Sequence, residues 1–194
     1  MAQGSPLLAA TGNRHKLIEL RAILQPHGIE VLGADDVGGI PAVEEDGKTF
    51  VANASKKAAV VAVATGRNVL ADDSGLEVLA LNGEPGVYSA RYAGESSDDQ
   101  ANVAKLLDRL GDGTDRRARF VCVIAIASPA GVVGTAAGEV RGRILDAPRG
   151  AGGFGYDPVF VPDGFEQTFA ELPAETKNRL SHRADALRTM LRME

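Results

Sequence analysis

The chain has 194 residues, with 21 Lys and Arg against 26 Asp and Glu, and a formal net charge of −5 at pH 7. Hydrophobic residues at 44% and charged residues at 24% are globular values and exclude a wholly disordered chain. The acidic balance argues against a dedicated nucleic-acid surface, no apolar run reaches the ~18 residues of a membrane helix, and the N-terminus is too short and polar for a signal peptide. One cytoplasmic domain over 1–194 is expected. Glycine is in excess, 23 of 194, against an average of about 7%. That excess points to special backbone positions or close approach to a ligand.

In chain order, Leu7–Ala10 reads as a short strand ending at Thr11-Gly12-Asn13. Lys16–Gln25 follows as a helix, with Leu17, Leu20 and Leu24 on one face and Pro26 and Gly28 as the stop. Ile29–Leu32 is a second strand and Gly33–Lys48 an acidic loop. Thr49 caps a helix over Phe50–Thr65, which Gly66 ends. Asn68–Ala71 is a buried strand running into Asp72-Asp73-Ser74-Gly75, Leu76–Leu81 a further strand, and Asn82-Gly83 a turn. Gln100–Leu110 is a helix capped by Asp98 or Asp99. Phe120–Ala127 and Val132–Ile144 form a long hairpin about Pro129-Ala130-Gly131. Gly150–Gly155 is a loop, Val159–Val161 a strand, and Ala174–Leu191 helical with an interruption near Ser181. Cys122, the single cysteine, lies in an apolar run and reads as a buried thiol. Strands mixed with helices predict an α/β fold on a mixed sheet.

Five segments could carry chemistry. Thr11-Gly12-Asn13-Arg14-His15-Lys16 is a strand–turn–helix junction whose free N–H groups suit an anion. Lys16 opposes the helix dipole there, which makes more sense if it serves a ligand anion, although an ordinary cap with a solvated lysine fits the same residues. Glu44-Glu45-Asp46-Gly47, followed by Lys56-Lys57, is either a solvated loop or an acidic site. Asp72-Asp73 places like charges side by side at the end of an apolar strand, which a divalent cation would offset; an Asx turn is the plainer reading. Gly150-Ala151-Gly152-Gly153-Phe154-Gly155 matches G-x-G-x-x-G, but no strand leads into it and Pro158 leads out, so a dinucleotide site is rejected. With Tyr156 and Asp157 it suits a planar base against an aromatic ring, or a plain hairpin loop. Ser181-His182-Arg183 opens the last helix segment near an anion-friendly end, or is simply surface.

Together, ATGNRHKLIEL, EEDGKTFVANASKKA, LADDSGLEVLALNGEPGVYSARYAGE, GGFGYDPVF and AELPAETKNRLSHRADAL resemble the Ham1/inosine triphosphate pyrophosphatase family, in the family's order and over nearly the whole chain. The resemblance implies two α/β lobes on a long mixed sheet with flanking helices and an active cleft between the lobes. It implies a homodimer, a Mg2+ requirement, and hydrolysis of ITP, dITP and XTP to monophosphate and pyrophosphate. Carried over residue by residue, it implies that Thr11, Asn13, Lys16 and Lys57 hold the triphosphate, with Gly12, Arg14 and His15 of the same junction counted as substrate-binding, although His15 by itself reads as exposed surface. Glu45 and Asp73 would hold the metal, with Asp73 as general base. Ser74, Phe154, Gly155, Tyr156, Asp157, Lys177, His182 and Arg183 would line the nucleoside pocket. Val51-Ala52 departs from the family, whose members often have acidic residues there. The competing readings are a Maf-like pyrophosphatase of modified nucleotides and a nucleotide-binding protein without turnover.

Overall fold

The computed structural model describes residues 6–94 and 98–192. The elements in chain order are β1 (Leu7–Ala9), α1 (Arg14–Leu24), β2 (Val31–Leu32), α2 (Phe50–Thr65), β3 (Val69–Val78), α3 (Asp99–Leu110), β4 (Arg117–Ser128), β5 (Gly131–Ile144), β6 (Phe160–Pro162), α4 (Ala174–Leu180) and α5 (His182–Arg192). The strands form one sheet in the order β2-β1-β3-β4-β5-β6. β1 runs parallel to both β2 and β3, and β5 antiparallel to β6. The sheet is therefore mixed, in an α/β fold. At Gly142 a side chain would meet the Val161 carbonyl at 2.2 Å, which explains a glycine inside β5 beside β6.

Caps place the helices. The Asn13 side chain accepts from the His15 and Lys16 amides, so α1 starts before Lys16. Thr49 caps α2 and Gly66, at φ +67°, ends it. Asp98 caps α3. Ser181 is extended and divides α4 from α5. One expectation is corrected: Asn68–Ala71 and Leu76–Leu81 are not separate strands. β3 runs unbroken through Asp72 and Asp73, and Leu79–Leu81 is a 3-10 turn. The acid pair is mid-strand because each carboxylate finds a buried partner, so no turn is needed to expose it to water. Glu95, the last residue of the third matching stretch, lies outside the described residues.

The chain divides into two compact units. The first comprises 1–73, 122–138 and 183–194. Its core includes Leu7, Leu20, Leu24, Leu70, Ile124 and Leu187, drawn from β1, α1, β3, β4 and α5. The second comprises 74–121 and 139–182. Its core includes Leu76, Leu106, Phe120, Phe160 and Phe169. Phe160 lies edge-on to Phe120 at 4.7 Å, and Phe169 lies 5.2 Å from Phe160.

Candidate active site

The first unit gathers the charges. α1 rises from the loop Thr11–Asn13, where the Thr11 hydroxyl accepts from the Asn13 amide at 3.1 Å. Gly12, Asn13, Arg14 and His15 are exposed around this helix start. Lys16 turns inward and pairs with Asp72 at 3.0 Å. Asp72 also receives the Arg183 guanidinium, at 2.9 and 3.3 Å, and Arg183 bonds Glu19 as well. The four groups alternate in sign and sum to zero, which makes their burial tolerable.

Asp73, next along β3, points to the opposite face by strand alternation. It is 5% exposed, and its Oδ2 accepts the Asn53 side-chain amide at 2.9 Å. Lys57, one turn further along α2 from Asn53, is ion-paired with Glu45. The adjacent carboxyls shift in opposite directions. Burial penalises ionised Asp72, but Lys16, Arg183 and Lys57 outweigh it and hold the group far below the usual carboxylate range. Asp73 is pushed up to about 6, first by burial and then by the Glu45 charge, against the Asn53 hydrogen bond and the lysines. Burial would lower the Lys57 ammonium, yet Asp72 and Glu45 raise it. The Lys57 ammonium is thus firmly cationic, and both lysines lie against carboxylates.

Crowding of Asp73 by Glu45 is the observation that fits a divalent cation, because a cation would relieve both the desolvation and the repulsion. Among the described residues, no cluster of three or more His, Cys, Asp or Glu could hold a metal by itself. Two carboxylates suit Mg2+, which keeps waters and takes further oxygens from a phosphate. Cys122 is buried, with its thiol pushed up to about 12, and is chemically inert.

The second unit holds the glycine loop. Gly150, Gly153 and Gly155 have positive φ. A side chain at Gly153 would sit 2.1 Å from Asp157 Oδ2, so the loop wraps onto that carboxylate only because residue 153 is bare. Asp157 Oδ2 accepts the Phe154 amide at 2.9 Å and the Lys177 ammonium at 2.5 Å. Lys177 Nζ lies 4.8 Å from the Phe154 ring centroid. Ser74, on β3, and Phe154 and Gly155 are half-buried.

Tyr156 is a core residue, 4% exposed, and its hydroxyl donates to the Ser89 carbonyl at 2.9 Å. Arg183 is 1% exposed, with its guanidinium engaged by Asp72 and Glu19. His182 is buried, its ring stacked 4.9 Å from Phe120. The residues brought together are Glu45, Lys57 and Asp73, with Lys16 and Asp72, in the first unit, and Phe154, Asp157 and Lys177 in the second.

Three participants were not anticipated. Glu19 flanks the apolar stripe of α1, where a carboxylate needs a buried partner. Asn53 occupies a core position of α2 among Phe50, Ala54 and Ala58, and a polar residue in that register was the available signal. Asp99 accepts the Gly155 amide at 2.7 Å across 56 positions, which no local pattern marks.

The model of the Ham1 family matches residues 7–193. A dITP/XTP pyrophosphatase of Geobacter sulfurreducens is 54% identical over 183 residues, 93% of this chain and 92% of that protein. The solved Ham1 protein of Staphylococcus aureus superposes with a TM-score of 0.85 at 44% identity, covering 97% of both chains. The HAM1 protein of Coxiella burnetii gives 0.86 at 39% identity, covering 98% of both.

Proposed function

The chain belongs to the Ham1 family, and from that premise we propose that it hydrolyses XTP, ITP and dITP to the nucleoside monophosphate and pyrophosphate with the aid of Mg2+. The observation that carries this reading is the set Glu45, Asp73, Lys57 and Lys16: two crowded carboxylates for a metal, with two cations for phosphate.

Glu45 and Asp73 would hold Mg2+, which when bound neutralises phosphate charge and supplies a more acidic water. Asp73, at about 6, is mostly ionised at neutral pH and accepts a proton from the water that attacks the α-phosphorus. Lys16 and Lys57 oppose the charge that develops on the departing pyrophosphate. The α1 N-terminus adds its positive end, with the exposed Gly12, Arg14 and His15 beside it.

The purine falls to Phe154 and Lys177. A 6-oxo group accepts a hydrogen bond from the ammonium; the 6-amino group of ATP offers that ammonium no acceptor and forgoes the bond. GTP shares the 6-oxo group, so its rejection rests on the 2-amino group. The reading extends to a homodimer acting in the cytoplasm; a monomer in sedimentation at working concentration would remove the first of these.

The test is a panel of XTP, ITP, dITP, ATP and GTP with Mg2+ and identified products. The expected result is pyrophosphate from the first three and far slower turnover of the others. Equal turnover of ATP, or release of orthophosphate, contradicts the reading. Preference for modified pyrimidine triphosphates would favour the Maf-like alternative.

A further inference from the structure

Asn53 has no part in the phosphate, metal or base assignments, yet it is a polar side chain 1% exposed on the core face of α2. Its Oδ1 accepts the Gly47 amide at 2.7 Å, and its Nδ2 donates to Asp73 Oδ2 at 2.9 Å. A backbone N–H can only donate, so the Gly47 bond fixes which end of the amide is oxygen and aims the NH2 at the carboxylate. Gly47 lies two residues after Glu45. We propose that Asn53 is a positioning residue that locks the acidic loop carrying Glu45 to Asp73, so that the two carboxylates stay together for a shared divalent cation. This inference rests on the assignment of Glu45 and Asp73 to the metal.

The residue types leave little choice. Aspartate lacks the donor, serine has one short hydroxyl, and glutamine carries an extra methylene in a filled core. The loop is equally constrained. A Cβ at Gly47 would lie 2.5 Å from Asn53 Oδ1 and 3.0 Å from the Ala52 Cβ, so the approach that makes the bond needs a bare residue. The anchoring is also local and repeated. Three consecutive loop residues are held by α2: Glu45 by Lys57, Asp46 by Lys56 at 2.7 Å, and Gly47 by Asn53. The exposed Asp46–Lys56 pair is screened and weak. The Lys57 ammonium is the one a triphosphate competes for under the proposed function. Asn53 is then the anchor that stays engaged while phosphate draws Lys57 from Glu45.

The test compares the wild-type chain with Asn53→Ala and Gly47→Ala, each checked for folding by circular dichroism. Pyrophosphate release from XTP is followed over a Mg2+ series, and Mn2+ binding to the nucleotide-free protein by electron paramagnetic resonance. Removal of a residue that orients a metal ligand lowers metal affinity or activity about 10–100-fold. Both variants should show this in kcat and in Mn2+ affinity, with KM for XTP moving far less. Folded variants with wild-type kcat and Mn2+ affinity, or with a change in KM alone, overturn the inference. Should Asn53→Ala fail to fold, Gly47→Ala decides, since it removes no polar group and its backbone φ suits alanine. An inactive wild type sinks the proposed function instead, and Mn2+ affinity alone then judges Asn53.

Discussion

The two units meet electrostatics in opposite ways. In the first, cations alternate with carboxylates: Lys16 with Asp72, Arg183 with Asp72 and Glu19, Lys57 with Glu45. In the second, the candidate pocket is aromatic rings and backbone amides around one ion pair, Lys177 with Asp157. Under the proposed function the difference is a division of labour. Paired charges can be re-partnered by a polyanion and a metal, which suits bond cleavage. Rings and a fixed donor present a shape and one polar contact, which suits choosing a base.

That contrast breaks down in order if it is wrong. The largest effect belongs to Arg183→Met, which leaves Asp72 and Glu19 buried against Lys16 alone and should cost about 3–5 kcal/mol in urea unfolding; a loss under 1 kcal/mol would mean the alternating charges are not a unit. Asp73→Asn should lower kcat on XTP about 100-fold or more by removing the proton acceptor, roughly 3 kcal/mol of barrier, while KM changes little. The same substitution should stabilise the metal-free protein. The Asp73 carboxyl rises from 3.8 to about 6 on folding, so the advantage of its protonated form is complete below pH 4 and gone above pH 6. The asparagine variant should therefore melt higher than wild type in EDTA at pH 7, by on the order of 2 kcal/mol, and no higher at pH 4. Lys177→Ala should raise KM for XTP about 10-fold and narrow the preference over ATP, with kcat less affected; an equal fall in kcat would erase the contrast between the units. Arg119→Ala is the smallest: its pairs with Glu77 and Glu139 are exposed, so unfolding should change by less than about 0.5 kcal/mol.

What the sequence made legible was mostly local. Thr49, Gly66 and the break at Ser181 are cap and turn signals, and the structure keeps each. The α/β class followed from alternating apolar runs and helical faces. The unity of β3 was not legible, because Asp-Asp-Ser-Gly reads as a turn unless the distant partners Arg183 and Asn53 are known. The same long-range bonds decided the site. Arg183 and Tyr156 have the chemistry of a base pocket, and both are also buried and held by partners found 111 and 67 positions away, Asp72 and Ser89. Motif matching ranks residues by type, and only packing says which way each side chain turns.

Under the proposed function, attack by water on the α-phosphorus is the step that Glu45, Asp73, Lys16 and Lys57 serve. Hydrolysis of XTP in water enriched with oxygen-18, with mass analysis of both products, tests it directly. The label should appear in the monophosphate and be absent from pyrophosphate. Label in pyrophosphate, or any labelled orthophosphate formed in the first turnover, would contradict the account.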